Sequence, residues 1–162
     1  MLGCGAGPAD AKLCDKPLTE TDPNGNVTTY TYAQAHGGVL TETGPLVNGV
    51  RPQTRSSYTQ RFAWTRNSAG AFVRSTTGVW LLTQKSTCIS GPAAASGTGC
   101  ATAGDEVITT YDYGPDSGPN NLLLRGMVVA SGNQTLRTCY SYDNWGRKIS
   151  ETTPRAGLAV CP

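Results

Sequence analysis

Six cysteines, one histidine and a thin scatter of carboxylates are the groups in this chain that could do chemistry. His36 is the only imidazole and stands beside Gly37 at a hairpin turn. A general base serving a Ser or Cys nucleophile also needs an orienting group and an oxyanion hole. No spacing marks either, so His36 reads as a solvated turn residue. Asp105, Glu106, Asp112, Asp116, Asp143 and Glu151 would have to meet as a pair on adjacent strands to act as glycosidase acid and base; as turn and edge residues they need no such partner. Zinc would ask for Cys-x2-Cys pairs or several histidines, and the chain has neither. Cys4/Cys14 and Cys88/Cys100 instead bracket small-residue loops, each with a Gly-Pro and each followed by a Thr-Thr-Tyr-x-Tyr strand. They read as equivalent loops closed by local disulfides, each contributing about 2–3 kcal/mol. Cys139 and Cys161 remain, to bond each other or, for Cys161, a cysteine beyond the end. No cofactor, no metal and no catalytic residue is expected.

Two further constellations have a functional and a plain reading. Tyr58, Phe62, Trp64, Trp80 and Trp145 would suit a sugar-binding platform, but aromatics at strand spacing are commonly packing or the inner wall of a larger sheet. Arg51, Arg55, Arg61, Arg66 and Arg74 would suit nucleic acid, but they are diluted by small and apolar residues. The net charge of +2 leaves no electrostatic footprint for nucleic acid or an anionic membrane. No apolar run reaches the length of a membrane span, and Met1-Leu-Gly-Cys4 carries neither the basic nor the apolar region of a signal peptide. The Asn-x-Thr sites at Asn26 and Asn133 matter only in a glycosylating host.

The elements that must hold these residues are strands. Gly 20, Pro 10 and only 15% charged residues describe a punctuated chain, with Thr, Tyr and Val between the punctuation. No stretch keeps a helical apolar period over three turns. Residues 1–17 read as a Gly/Pro-rich loop and 18–162 as β-hairpins. Strands are expected over 26–33, 38–43, 58–66, 71–76, 79–85, 106–113, 122–130, 134–142 and 147–152. Turns fall at Asp22-Pro23-Asn24-Gly25, Asn48-Gly49, Asn67-Ser-Ala-Gly70, Gly132-Asn133 and Asn144-Trp145-Gly146, and a cysteine loop at 88–100. The predicted fold is all-β: antiparallel, up-and-down hairpins paired neighbour to neighbour. Each hairpin has an apolar face that it cannot bury alone.

One hairpin recurs. Tyr140-Ser-Tyr142-Asp143-Asn-Trp-Gly146-Arg147-Lys-Ile149 is the full copy, within 132–154. Worn copies lie near 25–45, with Tyr30, Tyr32, Gly37 and Leu40, and near 107–126, with Tyr111 and Tyr113. The pattern resembles the RHS/YD-repeat family, named for a Tyr-Asp pair in Gly-x3-Tyr-x-Tyr-Asp-x2-Gly-Arg-Leu. The first copy has Ala33 at the motif's Asp, and the second has Gly114 there. In the full copy Asp143 suits an Asx-turn with Arg147 paired across the hairpin. The resemblance implies a segment of a β-shell that is not itself an enzyme. By the same resemblance it would belong to a longer bacterial protein, secreted or displayed at the cell surface. The implied partners are neighbouring repeats of the parent chain and an enclosed C-terminal toxin or effector, or, in relatives, glycans and cell surfaces. Asp22-Pro23-Asn24-Gly25 matches the family's Asp-Pro-x-Gly autocleavage letters, but an inter-repeat turn is the simpler reading. Repeats running up to both ends lead us to expect a piece of a longer chain.

Overall fold

A computed structural model describes residues 10–93 and 99–162. Alternating Thr, Tyr and Val, broken by Asn- and Gly-rich turns, produce nine antiparallel strands: β1 (Thr19–Thr21), β2 (Val27–Tyr32), β3 (Val39–Thr43), β4 (Gln53–Arg66), β5 (Phe72–Cys88), β6 (Glu106–Asp112), β7 (Gly126–Ser131), β8 (Gln134–Tyr142) and β9 (Lys148–Glu151). They form one up-and-down sheet in sequence order, as the hairpin pattern predicts. The described residues hold no α-helix, only short 3-10 turns at Asp10–Lys12, inside the expected N-terminal loop, and at Pro154–Ala156. The chain divides into two units, one with the described residues up to Ser57 and Lys85–Val107, the other with Tyr58–Gln84 and Ile108–Pro162.

The short edge strand β1 is not among the expected strands, and three boundaries also differ from the expectation. The two strands expected over 71–76 and 79–85 are one 17-residue strand, β5. Gly78 suggested a break, yet it lies mid-strand, where a Cβ would sit 2.7 Å from the Gln60 side chain. This glycine provides room for a neighbour and makes no turn. β4 begins at Gln53, five residues before the aromatic alternation that suggested its start. β7 begins at Gly126 and not at 122, because Leu122–Arg125 close a long loop in which Leu123 N–H donates to Asn120 O and Arg125 N–H to Asp112 O.

Little apolar surface is buried. Among the described residues the buried hydrophobic side chains are Cys88 and Cys139, both in disulfides. Arg61, Ser86, Asn121 and Thr138 are the buried polar ones. A lone sheet offers each residue only one layer of neighbours, so a core of the two-layer kind does not form. Covalent links stand in its place. Cys88–Cys100 closes the loop after β5, and Cys139–Cys161 ties β8 to the C-terminal tail. Gly126 makes the second link possible, since a Cβ there would lie 2.7 Å from the Cys161 sulfur.

The third expected pair, Cys4 with Cys14, falls only half within the described residues, because Cys4 lies outside them. Cys14 is disulfide-bonded, as expected of it. Its setting adds a short helical turn to the part of that loop that is described. Cys14 is half-buried in a turn that runs straight on from the 3-10 turn at Asp10–Lys12, and its Sγ lies 3.7 Å from Asp15 Oδ2. The physical reason is composition: Asp10-Ala-Lys-Leu13 holds no glycine or proline and can take a helical turn.

Reduction should therefore remove a larger share of the stability here than in a domain with a thick core. By loop length each of the Cys88–Cys100 and Cys139–Cys161 bonds restricts the unfolded chain by about 3 kcal/mol. Urea unfolding of the Cys88→Ser/Cys100→Ser and Cys139→Ser/Cys161→Ser proteins should show midpoints lowered accordingly. A midpoint within error of the parent would show that the link does not stabilise the fold.

Candidate functional site

The repeated tyrosines do the same work in both β1–β3 and β7–β9. In the first triplet Tyr30 N–H donates to Leu18 O, and the Tyr32 phenol donates to Pro17 O at 2.7 Å. In the second, Tyr140 N–H donates to Arg125 O, and the Tyr142 phenol donates to Leu124 O at 2.8 Å. Each phenol thus clasps the carbonyl two residues ahead of the preceding strand. Registers match as well: Tyr30 pairs with Glu42 and Tyr140 with Glu151, and a one-residue bulge follows at Thr31/Tyr32 and at Ser141/Tyr142. Thr31 and Thr41 share a hydroxyl–hydroxyl bond, and Ser141 and Ser150 share its counterpart. Near 107–126 a phenol again binds main chain, but at a carbonyl inside the preceding strand β5 and not ahead of it. Tyr113 donates to Leu82 O at 3.0 Å, and the loop 113–125 replaces the tight turn.

The turn chemistry centres on Asp143. Its Oδ1 accepts Trp145 N–H and Arg147 N–H, both at 2.9 Å, and its Oδ2 accepts Arg147 Nε at 2.6 Å. These donors favour the carboxylate and hold Asp143 below its ordinary range, the Arg147 backbone N–H first. Gly146 closes the turn at φ 77°. The same circuit recurs at two places that the tyrosine spacing did not mark. Asp22 Oδ1 accepts Asn24 and Asn26 N–H with Gly25 at φ 82°, and Asn67 Oδ1 accepts Ala69 and Ala71 N–H with Gly70 at φ 80°. The readable signal was Asx-x-x-Gly between strands. Asp22-Pro23-Asn24-Gly25 is thus the turn joining β1 and β2. At the first copy Ala33 replaces the Asx, the loop is one residue longer, and Ala33 N–H donates to Gly38 O. His36 serves there, with Nδ1 accepting Gly38 N–H at 3.0 Å. It is half-buried, a correction to the solvated residue expected, and burial with nearby Lys12 lowers its pKa.

The candidate acids and bases are engaged in holding the fold. Arg55 Nη2 meets Ser86 Oγ at 2.9 Å, Cys88 Sγ at 3.1 Å and Glu106 Oε1 at 3.2 Å. Ser86 Oγ also donates to Glu106. Cys88, Cys100 and Glu106 lie close enough together to suggest a cation site, but the sulfurs are joined and a guanidinium already neutralises the carboxylate. Asp105 accepts Ser90 N–H and Oγ–H, which hold its pKa down, the side-chain bond first. Asp112 accepts Gly114 N–H at 2.8 Å, and Glu151 pairs with Lys148 at 2.5 Å. Buried Arg61 pins the 113–125 loop: its Nε donates to Asp116 at 3.0 Å and its Nη2 to the Gly114 and Pro115 carbonyls. Asn121 Nδ2 adds a bond to Phe62 O at 2.8 Å. Beside Arg61 a cleft of about 350 Å³ is lined by Gln60, Tyr111, Asp112 and Tyr113, among others.

Arginines and aromatics pair with each other. Arg74 lies 3.5 Å over the Phe62 ring and Arg66 lies 4.5 Å over Phe72. Arg51 donates to Gly44 O at 3.2 Å. Each of the five candidate arginines thus has a partner within the chain. Of the aromatics expected to pack together, Trp64 has its indole N–H buried without an acceptor, Trp80 is partly exposed, and Trp145 is 85% exposed. Trp145 is a correction: it stands out from its turn into solvent. No helix among the described residues is long and apolar enough to cross a membrane. No known family model matches the chain, and no curated protein does either.

Two measurements test this geometry. Alanine at Gly146 must adopt the left-handed region, costing about 1 kcal/mol. Alanine at Gly37 pays the same φ cost, and its Cβ also falls on the Lys12 carbonyl. Gly37→Ala should therefore lower the unfolding free energy clearly more than Gly146→Ala, and equal losses would contradict the close approach at Gly37. The second concerns Tyr30, whose phenol donates to Glu20 Oε2 at 2.8 Å; this bond, with burial behind it, pushes its pKa from 10.0 up to about 12. The folded state then holds the proton more tightly than the unfolded one. Its stabilisation is complete below pH 10 and drains away as pH rises towards 12. Phenolate absorbance should show one tyrosine that titrates late, and Glu20→Gln should bring it back towards 10.0.

Proposed function

We propose that this chain is a non-catalytic wall segment: RHS/YD-type β-hairpins that, within a longer exported bacterial protein, enclose or present a C-terminal toxin or effector domain. The observation that carries this reading is the repeated three-strand unit, with the same tyrosine clasp, bulge and cross-strand hydroxyl pair in β1–β3 and β7–β9. Repetition of a whole hydrogen-bond circuit builds surface, whereas an active site needs groups that occur once. Engagement of the candidate acids and bases in turns, loop anchors and ion pairs supports the same side. So does the scarcity of buried apolar residues, since a wall hairpin completes its packing against the next one. The disulfides fit an oxidising, extracytoplasmic setting.

The test is additive. In a wall of like units, stability grows with each unit appended. A chain lengthened after Pro162 by a second copy of residues 107–162 should unfold at higher urea and with a steeper denaturant dependence. Unchanged unfolding, with the added copy disordered by hydrogen exchange, would count against a repeat wall.

A further inference from the structure

Two features remain without a role in the wall, and their chemistries complement each other. The first is a knob. Trp145 is 85% exposed, yet its backbone is fixed, because its N–H is bound to Asp143 Oδ1 at 2.9 Å and the next residue closes a tight turn. A large apolar side chain held out on a rigid tip loses little conformational freedom on binding. Beside it stands the exposed Arg147, whose Nε is taken by Asp143 while its Nη groups face no described acceptor. The second feature is a cleft of about 470 Å³, walled by Val47, Val50, Pro52 and Ile89. Val47 is 56% and Ile89 66% exposed, so the cleft's apolar walls are open to solvent. Asp105 stands on its rim, with its carboxylate held ionised by the Ser90 N–H and hydroxyl at 2.5 and 2.6 Å.

We propose that the cleft receives the Trp145 knob of a second copy of this chain. The indole fills the apolar walls, its N–H has Asn48 and Asp105 as acceptors on the rim, and Arg147 meets Asp105. A cation beside an aromatic on one surface, and an anion beside an apolar hollow on the other, specify a mutual fit. Aromatic anchors seated in pockets carry most of the binding energy of such contacts. Knob and cleft are different surfaces, so the contact is heterologous and propagates head to tail. It is independent of the wall reading, which joins hairpins through strand edges.

The experiment is sedimentation equilibrium of the full chain across a range of concentrations. Mass should rise with concentration, and Trp145→Ala and Ile89→Glu should each weaken association about tenfold or more. Mixing those two variants should restore a one-to-one complex, because one keeps the cleft and the other the knob. Ile149→Lys, on the exposed edge strand β9, should leave association unchanged. A chain that stays monomeric at every concentration overturns the proposal. So does association that survives Trp145→Ala, a mixture that fails to pair, or association lost only in Ile149→Lys, which would assign the contact to sheet edges.

Discussion

A phenol clasping a carbonyl is the interaction on which the rest of this structure depends. Tyr32 on Pro17 and Tyr142 on Leu124 fix where the strand preceding each hairpin begins. Everything downstream inherits that register: the bulge beside the tyrosine, the hydroxyl pair across the strands, and the turn that follows. The bond also explains why tyrosine recurs where phenylalanine would supply the same area. A ring laid along one sheet needs a tip that can be tied, and a part-buried hydroxyl must find an acceptor. The acceptor is main chain, so sequence can drift around the clasp without losing it.

A sheet built this way replaces apolar burial with directed bonds. Among the described residues the buried side chains are Arg61, Asn121, Ser86 and Thr138 alongside two half-cystines. Arg61 and Asn121 show what such groups achieve. Between them they hold a loop of irregular backbone by its carbonyls and by Asp116, and they tie it to the backbone of β4. Hydrogen bonds to charged donors are individually worth about 1.5–3 kcal/mol, less than a thick core supplies in sum. That shortfall is why the Cys88–Cys100 and Cys139–Cys161 links sit where the chain leaves the sheet.

The fold was legible because strand periodicity and turn chemistry are local. Asn67-Ser-Ala-Gly70 and Asp143 to Gly146 declare their hairpins within five residues. The errors arose where one residue type serves two purposes. Gly78 reads as a breaker but clears space for Gln60, and Leu122–Arg125 reads as strand but closes a loop, since apolar content does not reveal which carbonyls lie within reach. At the site, the tyrosine spacing reveals the repeat, and the turns at Asp22–Gly25 and Asn67–Gly70 are legible as turns, though not that they share the Asp143 hydrogen-bond circuit. The clasp itself was hidden: Pro17 and Leu124 share no side-chain signature, because only their carbonyls matter. The Arg55, Ser86 and Glu106 cluster was equally hidden, since it joins positions far apart in sequence. Trp145 was misplaced because an aromatic in a turn carries no periodicity to say which way it faces.

Repetition and recognition then divide between different parts of each hairpin. The strands are constrained by the clasp and the ladder, so they vary little in geometry and offer little specificity. Edge strands are short: three residues in β1 and four in β9, both exposed throughout. Short edges give limited backbone pairing, which disfavours indiscriminate addition of strands. The turn tips are freer. The Asp143 circuit uses the side chains of the first and fifth positions, glycine at the fourth and only the backbone N–H of the third, so the side chains of the second and third positions are not fixed by it. Tryptophan at one of them is therefore a choice that the fold does not require. A residue that stability does not demand, held rigidly in solvent at the cost of exposed apolar area, is where contact with another surface is to be sought.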